Sequence, residues 1–140
     1  MNWYDTLLFL HVLAAFVTVT AVVLFGAMFV ATERAGPNAS SSPVLGLAPL
    51  ADVLWTVGGL TVIVFGIWLA IYLSAYHPWD GWIVAAIILW VIASAAGARV
   101  GRGYRNVRRR TGARAPLLLH AVLAVAVAAL LIDMIYKPGA

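Results

Sequence analysis

The side chains that could do chemistry in this chain of 140 residues are few: His11, His77 and His120, the aspartates Asp52, Asp80 and Asp133, and a run of arginines. Everything around them is apolar, with 64% hydrophobic and 10% charged residues. An ionisable group inside such a run is costly unless it faces a bundle interior, where it marks an ion, proton or cofactor site. His11 lies about five residues into the first apolar run. A neutral imidazole bonded to a neighbouring helix also accounts for it. Two histidines in one membrane bundle invite bis-histidine haem. However, His11 and His120 differ in height by roughly 15–18 Å at the helical rise per residue, too far for one iron. Haem b on His11 would then need His77 or Met134 as second ligand, and no cofactor is the simpler expectation. Asp133 precedes Lys137 by four residues, the spacing of a helical ion pair. Alternatively His11, His77, Asp80 and Asp133 form an outer polar cluster that binds a cation or passes protons. Asp5 and Asp52 read as helix caps, and His120 as an interfacial histidine.

The elements that must position these groups follow from the stretch RVGRGYRNVRRRTGAR, residues 99–114. It holds seven of the nine basic residues: Arg99, Arg102, Arg105, Arg108, Arg109, Arg110 and Arg114. Lys/Arg-rich loops of multi-spanning proteins stay on the cytoplasmic side, and such a cluster also attracts anionic lipid headgroups. The net charge of +4 is concentrated there, between two apolar runs, so topology and lipid account for it without nucleic acid.

Composition far more apolar than that of a soluble domain gives one membrane domain, an all-α, integral membrane four-helix transmembrane bundle. The helices are expected over about 6–31, 53–76, 82–99 and 117–136, with cytoplasmic loops 32–52 and 100–116. The first run is too long for a signal peptide and has no basic flank. It reads as a retained span with its N-terminus outside. Three prolines, two glycines and a serine cluster make 33–49 a loop. The tight turn His77-Pro78-Trp79-Asp80-Gly81 makes helices two and three an antiparallel hairpin. Recurrence of Arg99, Arg102 and Arg105 at helical spacing allows helix three to run on into the cluster. With the arginines inside, both termini lie outside, in a multi-pass protein of the bacterial cytoplasmic membrane. Trp3, Tyr4, Tyr76, Trp79, Trp82 and Tyr136 then fall near the outer boundary, and Trp55 and Tyr104 near the inner one, as an aromatic belt requires.

Helices in lipid associate through small residues. The expected interior faces are Thr56, Gly59, Gly66, Ala70 and Ser74 on helix two, Ala86, Ala93 and Gly97 on helix three, and His11, Ala15, Thr18 and Gly26 on helix one. These faces suit packing within one chain, against a second copy, or against a membrane partner.

The opening Leu10-His11-Val12-Leu13-Ala14-Ala15, the stretch Gly66-Ile67-Trp68-Leu69-Ala70 continuing to Tyr76-His77-Pro78-Trp79-Asp80-Gly81-Trp82, and the ending Asp133-Met134-Ile135-Tyr136-Lys137-Pro138-Gly139 resemble the bacterial predicted integral membrane proteins grouped as domain of unknown function 2269. The resemblance implies a four-helix inner-membrane protein without an assigned activity. The helix-one histidine is also distantly similar to that of copper-resistance membrane proteins and haem-linked membrane oxidases.

The chain has no cysteine, phosphate loop, HExxH or GxSxG motif, so nothing in it points to an enzyme. The leading expectation is a non-enzymatic structural or accessory membrane subunit. A haem or redox protein using His11 is the first alternative, and an ion or proton pathway through the outer cluster the second.

Overall fold

A computed structural model describes residues 2–72, 77 and 79–136. Its order is α1 (Trp3–Ala35), two short 3-10 segments (Gly36–Ser41 and Pro43–Leu47), α2 (Ala48–Tyr72), α3 (Gly81–Arg109) and α4 (Leu117–Tyr136). All four helices are long and apolar enough to cross a membrane. The chain is a small multi-spanning membrane protein embedded in a lipid bilayer. Large apolar side chains such as Phe16, Val23, Ile71, Leu118 and Ile135 face outward, as lipid allows and water does not.

Both ends of α1 and the end of α3 have a local cause. Asn2 caps α1 in a reciprocal box with Asp5, whose N–H donates to Asn2 Oδ1 at 2.9 Å, satisfying donors the first turn leaves open. Asp5 is thus part of a cap, as expected. Gly36 ends α1 with φ 51°, a left-handed conformation that glycine adopts without cost, and Pro37 follows. At the end of α3 the left-handed position is taken by Arg110, φ 57°, whose N–H returns to the carbonyls of Asn106 and Val107.

The buried positions of α1 are Leu7, Ala14, Ala21, Phe25, Met28 and Thr32, and half-buried His11 and Thr18 complete a 4-3 alternation. That spacing keeps one seam against antiparallel neighbours. The expected stripe was right at His11 and Thr18. Gly26 differs, having no atom near the position of a Cβ. On α2 the contact glycine is Gly58, whose added Cβ would lie 2.7 Å from Thr18 Oγ1. Gly59 is open and Thr56 exposed, whereas Gly66 faces His11 of α1 as expected. Ser74, Tyr76, Lys137 and Gly139 lie outside the described residues. Ala86, Ala93 and Gly97 of α3 are buried as expected, and the seam continues through Val100, Tyr104 and Val107.

Three expectations are corrected. First, residues 100–116 are not a loop: α3 continues to Arg109, and only 110–116 connect it to α4. The Val100, Tyr104 and Val107 spacing gives this stretch an apolar face, which holds it helical despite its charge. Second, residues 32–52 are built structure. The two 3-10 segments bury Leu45, and α2 starts at Ala48, with Ala48 and Ala51 buried. Asp52 therefore lies inside α2 and does not cap it. Third, α1 packs most extensively with α2 and α3 with α4, while the α2–α3 seam is thin. The short turn makes α2 and α3 antiparallel, but side-chain fit decides which helices pack closely.

At 1.5 Å per residue α4 measures about 30 Å, the thickness of the hydrocarbon core, whereas α1 and α3 measure about 50 and 43 Å. Their extra length lies at the arginine-bearing end. Most of the principal core also lies toward that end: Phe25, Met28, Leu45, Ala48, Ala51, Val100, Tyr104, Val107, Ala115 and Leu123 pack there.

Candidate functional site

The arginine-bearing end holds the densest polar construction. Tyr104 is fully buried, and its hydroxyl lies 2.7 Å from His120 Nε2 and 3.1 Å from the Phe25 carbonyl. His120 is buried as well, with Nδ1 3.1 Å from the Pro116 carbonyl. A carbonyl only accepts, so Nδ1 carries a hydrogen. With the ring neutral, the single hydroxyl hydrogen of Tyr104 faces two acceptors, Nε2 and the Phe25 carbonyl. An imidazole carrying both hydrogens would donate from Nε2 and leave the hydroxyl hydrogen to Phe25. The expectations of an interfacial His120 and a belt Tyr104 are therefore corrected. Both are interior groups, because the α3–α4 seam together with Phe25 and Phe29 of α1 encloses them. Trp82 is also buried rather than at a boundary surface.

Phe29 stands beside this pair, its ring centre 4.7 Å from that of His120. The Arg114 guanidinium lies over the same ring at 5.6 Å and pairs with Glu33. Arg105 pairs with Asp52 across the α2–α3 seam. Two glycines permit this approach: a Cβ at Gly101 would overlap the Asp52 carboxylate, and one at Gly97 the Trp55 indole. The seven arginines thus divide. Arg105 and Arg114 hold helices together, while Arg99, Arg102, Arg108, Arg109 and Arg110 are exposed. Sequence reading missed Asp52, Glu33 and Phe29 as partners. The available signal was that two of the few acids flank the basic stretch once the helices are folded antiparallel.

His11 sits on the α1–α2 seam, Nδ1 donating to the Val62 carbonyl at 3.0 Å. Gly66 makes room for the ring: a Cβ there would stand 3.1 Å from His11 Cε1. His120 packs beside Phe25 and Phe29 of α1, fourteen and eighteen residues beyond His11, or about 21–27 Å along that helix. The two histidines belong to separate places.

His77 is exposed. Its N–H donates to Asp80 Oδ2 at 3.0 Å, and the Asp80 N–H returns to the His77 carbonyl at 2.9 Å. Asp80 therefore closes the turn before α3. Asp133 is buried on α4, and its Oδ2 has no hydrogen-bond partner among the described residues. The ion pair expected with Lys137 lies outside them. Among the described residues, no three His, Asp or Glu side chains come together to hold a metal ion. The residues of the outer cluster fall in three places: His11 on α1 against the Val62 carbonyl of α2, His77 with Asp80 in the turn before α3, and Asp133 on α4.

A leucine at His11 removes one hydrogen bond within the bundle. The expected cost is about 0.6 kcal/mol, the average for such bonds in a membrane protein. Unfolding in mixed micelles of rising dodecyl sulfate fraction measures it. A loss above about 3 kcal/mol would show that His11 holds more than a carbonyl.

A scan against protein-family models, a search of the curated proteins and a search of the solved structures each found no match to this chain.

Proposed function

We propose that this protein is a non-enzymatic structural or accessory subunit of the bacterial cytoplasmic membrane, with its arginine-bearing end in the cytoplasm and both termini outside. The observation that carries this reading is the division of the arginines. Two are built into helix contacts and five stand exposed around one end of the bundle, where exposed Lys and Arg oppose translocation. The histidines support it through their bonding, since His11 and His120 both join one element to another. The resemblance to the domain of unknown function 2269 proteins belongs to the same reading. Anionic lipid headgroups are the partners expected at the arginines, and the apolar exterior leaves room for a second copy or a membrane partner.

Reporter fusions test the orientation. Alkaline phosphatase fused after Ala140 is expected to be active and a fluorescent protein there dark. The reverse is expected for insertions between Thr111 and Ala113. A bright C-terminal fluorescent fusion with inactive phosphatase overturns the orientation. The role is tested by a visible spectrum of protein purified from haem-supplied cells. A Soret band lost in His11→Ala would replace the structural reading by the redox one.

A further inference from the structure

We infer that the groove between the start of α2 and the end of α3 is a binding site for the phosphate of an anionic phospholipid. The groove, of about 540 Å³, is lined by Pro49, Asp52, Val53, Arg105, Arg108 and Arg109. Asp52 is paired with Arg105, which leaves Arg108 and Arg109 as its uncompensated charges. Planar guanidiniums bind phosphate oxygens two at a time. Helical side chains lean toward their own N-terminus, so Arg108 and Arg109, at the end of an α3 that starts at the opposite face, lean back toward the bilayer.

The apolar wall identifies a membrane lipid as the occupant rather than a soluble anion. Val53 opens a stripe of exposed apolar side chains along α2: Val53, Val57, Leu60, Val64, Ile67 and Ile71, each 54–73% exposed. Their spacing alternates four and three residues, so they form one continuous strip on one face of the helix. A phosphate held by Arg108 and Arg109 therefore has a track for its acyl chains directly below it. The groove's other wall is fixed, because the Asp52–Arg105 pair and the close approach at Gly101 lock α2 to α3. This site narrows the lipid contact of the preceding section to one place. It rests on the chain being in a bilayer and not on its orientation.

Native mass spectrometry of the full chain, released from a neutral detergent, tests it with dioleoylphosphatidylglycerol and dioleoylphosphatidylcholine as probes. One tightly held phosphatidylglycerol is expected, with phosphatidylcholine retained far less. Arg108→Gln/Arg109→Gln should weaken that binding about thirty-fold, roughly five-fold for each guanidinium at a membrane surface. Both residues are exposed, so the variant should keep its fold, which its detergent unfolding curve checks. Arg99→Gln/Arg102→Gln removes as much charge from α3 outside the groove lining and should weaken binding far less, because exposed charges that do not touch the phosphate act on it only through screened solvent. Equal losses in the two double variants would reduce the effect to general charge and overturn the site. So would unchanged binding in Arg108→Gln/Arg109→Gln. Displacement of the lipid by millimolar inorganic phosphate would also overturn it, since the groove would then select a soluble anion. None of these failures alters the reporter-fusion result, so this inference and the proposed orientation fail separately.

Discussion

Tyr104→Ala is expected to destabilise the protein by about 3 kcal/mol, the usual range for emptying a buried aromatic position. The substitution leaves a void beside the rings of Phe25 and His120, at a position that is fully buried. Part of the usual cost, the transfer of apolar surface from water, shrinks when separated helices remain in lipid. The cavity cost remains, because neighbouring side chains relax only partly. Tyr104→Phe keeps the ring and removes only the hydroxyl, which bonds to His120 Nε2 at 2.7 Å. Hydrogen bonds between membrane helices average about 0.6 kcal/mol and reach about 1.7 kcal/mol. Packing should therefore outweigh bonding, with Tyr104→Phe costing about one third of Tyr104→Ala. Tryptophan fluorescence during dodecyl sulfate unfolding measures both. A cost for Tyr104→Phe equal to that of Tyr104→Ala would make the hydroxyl–imidazole contact the dominant interaction at this end. The double variant with His120→Phe would then show whether the two groups act as one unit.

The transmembrane architecture was legible because it depends on run length and charge placement. The start of α4 at Leu117 was legible, since Pro116 precedes it and only His120 and Asp133 interrupt the long apolar run that follows. The arginine-bearing end was harder to read. A stretch with seven arginines looks like a loop to any rule based on charge, yet Val100, Tyr104 and Val107 recur on its buried face. Those three residues outweigh the charges, because arginines on a helix reach water along long stems without disturbing the opposite face. The serine- and proline-rich stretch was misread for a related reason. Its composition forbids a long α-helix but permits two 3-10 turns, and one buried leucine, Leu45, is enough to seat them. Partner choice was not legible at all. His11 meets a carbonyl that sequence does not display, and Gly58 rather than Gly59 faces Thr18.

Gly103→Ala should produce the other large loss, about 1–3 kcal/mol from overpacking, although alanine is the better helix former by about 1 kcal/mol. The new Cβ would stand 2.6 Å from the Ala115 backbone nitrogen, 3.2 Å from Ala115 Cβ and 3.3 Å from the Arg114 carbonyl carbon. These are mainly backbone atoms, so no side-chain rotation relieves the clash. The connection between α3 and α4 must lift, taking with it Arg114, its Glu33 pair and its seat over Phe29. Gly26→Ala is the matched control, for no atom lies within 4 Å of its added methyl. It should be neutral or stabilising by up to about 1 kcal/mol. The same dodecyl sulfate titration separates the two variants, and hydrogen exchange across residues 110–116 locates the damage. Protection there should fall in Gly103→Ala and stay unchanged in Gly26→Ala. If both variants were equally harmless, the connection would not be clamped to α3. The arginine-bearing end would then be a mobile basic segment, without the rigid cap that positions Tyr104 against His120.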